Sequence, residues 1–241
     1  MNAILLVAGR GSRLGTLTDN KPKSLVELNG QPLLYRAISS LKTAGINKVA
    51  AVGGYRSEMI APYADTLFIN ENWAQTSIFS SLLCARAWLE AETCLVSYGD
   101  IFYSPELVSA LLESPGEINL AWDPDAVSLW QKRNEDPLAD LESFRIDNDR
   151  IVDIGEKITR IEEVQGQYMG VFKLTPTAWG WIEQLLSSLS NEEIAHLDMT
   201  RLFSTLIQRG HDVFGTRNTT PWGEIDTPSD IDVYHRLYPA L

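Results

Sequence analysis

Apolar positions fall in short unbroken runs, separated by stretches with helical spacing. Residues 3–7 (Ala-Ile-Leu-Leu-Val) form one such run, the pattern of a strand buried on both faces. In PLLYRAISSLKTAGI, residues Leu34, Ala37, Ile38 and Leu41 recur at helical spacing between Pro32 and Gly45, which predicts a helix. KVAAVGGY reads as strand and turn, and TLFIN as a third strand. TSIFSSLLCARAWLEA predicts one helix capped by Thr76 or Ser77. TCLVSYGD is a fourth strand, apolar until it ends at Asp100; a helix after Pro105 and the strand INLAW follow.

The second half is less regular. Residues 139–157 predict a hairpin turning at Asn148-Asp149, and GQYMGVFKL a strand. Helices are expected near 176–189 and 198–209, then the strand DVFGTR, the segment WGEID and a closing helix from Pro228. Strands alternating with helices predict an α/β fold: a Rossmann-like, mostly parallel mixed sheet with helices on both faces and a small β-rich insertion. No repeat, low-complexity tract or linker interrupts the 241 residues, so a single domain is expected, with halves at 1–122 and 123–241.

Composition narrows the classes. Hydrophobic residues make up 44% of the chain, enough for a core and too many for disorder. A net charge of −12 disfavours non-specific binding to nucleic acid or anionic membrane. Cys84 and Cys94 sit in apolar settings without metal or redox spacing and read as buried thiols. The start MNAILLVAGRG lacks the basic region of a signal peptide, and no apolar stretch approaches the ~18 residues of a membrane span. A cytoplasmic protein is expected.

Against this acidic background, VAGRGSRLGTLTDNKPKSL (7–25) is locally basic. It carries Gly9, Gly11 and Gly15 together with Arg10, Arg13, Lys21 and Lys23. Ligands of open α/β sheets sit at the carboxyl ends of strands, where this loop lies. Glycines let backbone N–H groups approach an anion, and the cations can add charge-assisted bonds to phosphate. The Walker A pattern is absent, and G-x-G-x-x-G fails because Leu14 stands where its third glycine belongs. A solvated turn is the alternative.

The stretch from Leu5 to Ile46 resembles the signature of the nucleotidyltransferases that act on sugar 1-phosphates and related phosphates. That signature is a strand ending in Ala-Gly-x-Gly-x-Arg-Leu, then Pro-Lys, an Asn-Gly turn and a helix. Val7 departs from the family's usual alanine. The resemblance implies a GT-A-like nucleotidyltransferase fold with a nucleotide-binding first half and an acceptor-binding second half. NENWAQTSIFSSL resembles the corresponding segment of the phosphocholine cytidylyltransferase-like branch, with Ser77 in place of its second Asn. In that branch CTP is the usual donor, and phosphocholine, 2-aminoethylphosphonate and phosphoglutamine are acceptors. LWQKRNEDPLADLESFRI and EVQGQYMGVFKL look most like the phosphoglutamine-type and phosphonate-type members.

The resemblance therefore implies a Mg²⁺-dependent cytidylyltransferase with Arg13, Lys23 and Asp100 as catalytic residues. The nucleotide contacts expected are Val7, Ala8, Gly9, Arg10, Gly11, Ser12, Arg13 and Lys23, the turn Gly53-Gly54-Tyr55, and Thr76, Ser81 and Gly99. Asp100, at the end of an apolar strand, is a metal ligand or a turn-initiating aspartate. Glu224 and Asp226 share one side of an extended segment with Ile225 facing inward. Either is the second metal ligand, or both lie on a solvated face before a helix N-cap. Trp130, Arg133, Asp140, Glu142, Lys157 and Tyr168 are the candidate acceptor residues: aromatic faces and carboxylates suit an amine, and Arg133 or Lys157 suits a phosphate. A surface hairpin with ordinary ion pairs is the alternative. His196, His211 and His235 lie outside every motif. Two rival functions remain: a sugar-1-phosphate uridylyl- or guanylyltransferase, and a catalytically silent nucleotide-binding subunit. A homodimer is left open.

Overall fold

A computed structural model describes residues 1–134 and 136–240; Glu135, inside the quoted segment 129–146, and Leu241 lie outside the described residues. The first half runs β1 (Asn2–Leu6), a two-strand ribbon β2 (Glu27–Leu28) and β3 (Gln31–Pro32), α1 (Leu33–Thr43), β4 (Lys48–Gly53), β5 (Thr66–Ile69), α2 (Ile78–Leu83), α3 (Arg86–Ala91), β6 (Cys94–Tyr98), β7 (Ile101–Phe102), α4 (Pro105–Glu113) and β8 (Ile118–Asp123). The second half runs α5 (Ala126–Arg133), β9 (Glu142–Asp147), β10 (Arg150–Lys157), β11 (Gln167–Leu174), α6 (Pro176–Leu186), α7 (Asn191–Ala195), α8 (Met199–Gln208), β12 (Val213–Arg217), β13 (Gly223–Glu224) and α9 (Pro228–Leu237).

Nine strands form the central sheet in the order β5-β4-β1-β6-β11-β8-β12-β10-β9. β5, β4, β1 and β6 are mutually parallel. β11 runs antiparallel between β6 and β8, β12 lies parallel to β8, and the β9–β10 hairpin closes that edge. The sheet is thus mixed, with β11 and β10 reversed against the rest. Periodicity could not announce this, because a buried strand shows the same apolar run in either direction.

β1 illustrates why the sheet is covered on both sides. Ala3 and Leu5 point into one core with residues of α1 and α4, while Ile4 and Leu6 point into the other with residues of α2, α6 and α8. All four are at most 5% exposed. Fully burying a Leu or Ile side chain contributes roughly 1.5–3 kcal/mol, so a polar residue at any of these positions would be costly.

In the helices, two features depart from the pattern-based reading. The helix expected over 76–91 is two helices, broken at Cys84 and Ala85 by tight bonds from Cys84 N–H to Ser81 O and Ala85 N–H to Leu82 O. The break lets α2 pack on β1 and β4 while α3 turns to meet α6. α5 and α7 were not anticipated, although Ala126, Leu129, Trp130 and Arg133 form a buried stripe at helical spacing. The hairpin turn does fall at Asn148 and Asp149, whose φ values of 48° and 64° give the left-handed backbone that a tight two-residue hairpin requires. Among the described residues, no helix is long and apolar enough to cross a membrane.

Candidate active site

The chain leaves β1 at Leu6 into the glycine-rich loop. Val7 N–H still bonds Val52 O, and Tyr55 N–H bonds Ala8 O at 2.9 Å, so the loop is tied to the Gly53–Tyr55 turn by its backbone. Gly11 has φ +74°, and a Cβ there would meet the Lys23 side chain at 2.7 Å. Lys23 therefore lies directly over Gly11. Thr18 Oγ1 donates to both Gly11 O and Gly15 O, pinning the loop from within. Two further glycines serve close approach: a Cβ on Gly54 would meet Trp73 Cγ at 2.6 Å and Ala8 O at 2.8 Å, and one on Gly99 would collide with Val7 Cγ1.

A cavity opens at the carboxyl ends of β1 and β6. Val7, Ala8, Gly9, Lys23, Thr76, Ser81, Gly99 and Asp100 line it together, joined by Ser24, Trp73, Ser77, Ile78 and Tyr98. Behind the wall, buried Asn70 donates from Nδ2 to Thr76 Oγ1 and Ser81 Oγ, both at 3.1 Å. The Gly53-Gly54-Tyr55 turn supports this wall through Trp73, whose ring lies 5.5 Å from that of Tyr55. Arg10 pairs with Asp19 at the rim, and Ser12 is exposed.

The carboxylates arrive from distant segments. β7 pairs antiparallel with β13, setting Ile101 opposite Glu224, and Ile225 N–H bonds Asp100 O at 2.9 Å. Ile225 is fully buried between Glu224 and Asp226. One oxygen each from Asp100, Glu224 and Asp226 lie within 4.8 Å of one another. Lys23 Nζ donates to Asp100 Oδ2 at 2.7 Å and to Asp226 Oδ1 at 2.5 Å, and Arg13 Nη2 reaches Asp226 Oδ1 at 2.8 Å.

The electrostatics follow from this crowding. Burial opposes the charge of Asp226, but a hydrogen bond with Glu224 and the charges of Lys23 and Arg13 overcome it and hold its carboxyl at about 2. Burial, reinforced by the negative charges of Asp226 and Asp100, pushes the Glu224 carboxyl well above the usual range. Burial alone would lower the Lys23 ammonium, yet its two carboxylate partners raise it above its ordinary value.

A second cavity adjoins the first. Arg13, Glu224 and Asp226 form one side, and Trp130, Asp140, Glu142 and Tyr168 form the other with Tyr98, Gln167, Asp198 and Thr200. Trp130 is 1% exposed and donates from Nε1 to Asp140 Oδ2, so it acts mainly as support. Burial raises the Glu142 carboxyl above its ordinary value. Lys157 does not line this cavity, but it pairs opposite Glu142 across the β9–β10 ladder and lines a neighbouring cleft that shares Asp140 and Glu142 with it. Arg133 is buried beneath the late carboxylates and bonds Asp230.

A family model described as a MobA-like NTP transferase domain matches residues 3–147. The chain belongs to this family. CTP:phosphoglutamine cytidylyltransferase of Campylobacter jejuni is 31% identical over 249 residues, covering 97% of this chain and 98% of that protein. Two solved structures share the fold at 21% identity. Inositol-1-phosphate CTP transferase from T. maritima superposes with a TM-score of 0.77, covering 100% of this chain and 97% of that one. CTP:phosphocholine cytidylyltransferase from Streptococcus pneumoniae gives 0.71, covering 99% and 97%.

The carboxylate cluster fits a divalent metal. Asp100 Oδ1 and Asp226 Oδ2 are buried and accept no hydrogen bond among the described residues. An all-oxygen donor set with two free buried oxygens fits Mg²⁺, which favours such ligands. The sequence reading missed Ser24, Trp73, Tyr98, Gln167, Asp198 and Thr200. Trp73, Ser24, Tyr98 and Gln167 stood in the quoted segments 70–82, 7–25, TCLVSYGD and EVQGQYMGVFKL; Asp198 and Thr200 carried no signal beyond ordinary polar identity.

Proposed function

We propose that this chain is a magnesium-dependent cytidylyltransferase that couples CTP to a small phosphorylated or phosphonate acceptor and releases pyrophosphate. The observation that carries the reading is the position of Asp100, Glu224 and Asp226, bridged by Lys23, where two cavities adjoin. One cavity has the backbone-rich, apolar wall that a nucleotide needs. The other has the carboxylates and aromatic groups that suit a small amine-bearing acceptor. The phosphoglutamine relative and the segment 70–82 support CTP as donor.

In the reaction, an acceptor oxygen attacks the α-phosphorus of CTP in line. A P–O bond forms, the bond to the β-phosphate oxygen breaks, and its electron pair leaves with pyrophosphate. The attacking oxygen is already anionic, so no general base is required. The problem is instead to hold two anions together, and positioning of that kind is worth roughly 7–11 kcal/mol in favourable cases. Lys23 and the N–H groups of the glycine-rich loop hold the triphosphate, and Arg13 faces the acceptor side. Mg²⁺ held by Asp100, Asp226 and Glu224 would neutralise phosphate oxygens as charge develops.

The test is pyrophosphate release from each of the four nucleoside triphosphates with phosphocholine, 2-aminoethylphosphonate, phosphoglutamine and sugar 1-phosphates as acceptors. CTP with one of the first three should turn over fastest, and only with Mg²⁺ present. Faster turnover with UTP or GTP and a sugar 1-phosphate would replace this reading. Nucleotide binding without turnover on any acceptor would favour a silent binding subunit.

A further inference from the structure

Arg133 closes α5 and points beneath the late carboxylates, where its side chain is only 1% exposed. Nε donates to Asp230 Oδ1 at 3.0 Å. Nη2 lies 3.6 Å from Asp226 Oδ2, and Nη1 lies 3.8 Å from Glu224 Oε2. The guanidinium is held between the rings of Trp130, 4.7 Å away, and Tyr234, 6.0 Å away. The other oxygen of Asp230 accepts from the backbone N–H of Asp226 at 2.9 Å and of Thr227 at 2.8 Å. Arg133 thus holds Asp226 by two routes. One runs to its carboxylate directly, and the other to its backbone through Asp230.

We propose that Arg133 is a positioning residue for the divalent-metal site, fixing the Glu224 and Asp226 carboxylates at the spacing at which they join Asp100 around the ion. The proposal rests on reading those carboxylates as metal ligands. It gives Arg133 a role other than contact with the acceptor's phosphate. Asp226 is buried and Glu224 partly so, and of the two Lys23 and Arg13 reach only Asp226, at Oδ1; in their charged forms the two carboxylates repel, and a fixed cation behind both keeps them from turning apart. The guanidinium suits the task because its planar fork reaches three carboxylates in one rigid geometry. At 3.6–3.8 Å it attracts Asp226 and Glu224 without forming the hydrogen bonds that would occupy their lone pairs. Asp226 Oδ2 correspondingly accepts no hydrogen bond, which leaves it free for an ion. The charge of Arg133 by itself opposes a metal cation, so its benefit is geometric. A lysine at this position keeps the charge and loses the fork.

The experiment measures Mn²⁺ binding to the whole protein by the electron paramagnetic resonance signal of the free ion, in the wild type, Arg133→Lys, Asp230→Asn and Asp100→Asn. The Mg²⁺ activation curve is recorded alongside, with CTP and whichever acceptor the panel above identifies. Arg133→Lys should weaken Mn²⁺ binding about tenfold, the range for lost outer partners of metal ligands, while acceptor KM at saturating Mg²⁺ stays within about twofold. Asp230→Asn, which retains the cap on the Asp226 backbone and weakens its hold on Arg133, should shift binding in the same direction. It carries the test if Arg133→Lys fails to fold. Unchanged Mn²⁺ binding in both variants overturns the positioning role, as does a raised acceptor KM with Mn²⁺ binding intact. Wild-type Mn²⁺ binding in Asp100→Asn would instead sink the metal-site reading itself, and this role with it.

Discussion

The two walls of the site are built on different principles. The proposed nucleotide wall comes from three stretches, 6–24, 73–81 and 98–100, and its frame is a backbone one: Val7 bonded to Val52, Ala8 to Tyr55, and glycines where chains touch. The acceptor wall is assembled from α5, the start of β9, β11, the start of α8 and β13, and its character comes from side chains such as Asp140, Glu142, Gln167 and Asp198. A backbone-built wall fixes what it binds and tolerates side-chain drift. A side-chain wall can be respecified by a few substitutions on the same frame. The carboxylate cluster lies at the junction and belongs to both.

The sharpest break should come at that junction. Asp226→Asn removes a charge from the cluster while keeping its shape, and turnover should fall about 10³-fold, or ~4 kcal/mol of transition-state stabilisation. CTP affinity, measured by calorimetry, should change far less. Next in size is Lys23→Ala, expected to lower turnover about 10²-fold if the lysine stabilises charge on the transferring phosphate as proposed. It also leaves Asp100 and Asp226 with one cation fewer, so its thermal midpoint without metal should drop, and added Mg²⁺ should restore part of the loss.

The backbone character of the nucleotide wall is tested by Gly54→Ala. The new Cβ would press on Trp73 and on Ala8 O, which cannot yield without moving the loop. KM for CTP should rise about tenfold with acceptor KM little changed, a loss of ~1.4 kcal/mol in ground-state binding. An unchanged CTP KM would mean that this wall gives way easily and that the contrast with the acceptor wall is false. The smallest effects belong to the acceptor side. Glu142→Gln should raise acceptor KM by about threefold to tenfold, as loss of one charged contact does. Lys157→Ala, in the adjoining cleft beyond Asp140 and Glu142, should alter it by less than about twofold, within the range of ordinary surface changes.

By itself, the sequence determined what depends on neighbours along the chain. The strands β1, β4, β6 and β8, the helices α1 and α4, the turn at Asn148-Asp149 and the glycine-rich loop all follow from local spacing and local backbone demands. Glu224 and Asp226 were legible as a pair because alternation about Ile225 is a property of three consecutive residues. The tertiary structure decided what depends on chains meeting. The break between α2 and α3 answers to packing partners on two different elements. The reversal of β11 leaves no mark on an apolar run. Asp100 comes beside Asp226 only because β7 pairs with β13, and no residue between them encodes that register. Arg133 shows the limit most clearly. A basic residue in a polar segment reads as a surface cation reaching for phosphate, and only the packing of Trp130, Tyr234 and Asp230 around it turns it inward beneath the carboxylates. Charge is written in the residue, but burial belongs to the fold, because desolvation is set by whatever else arrives at the same point in space.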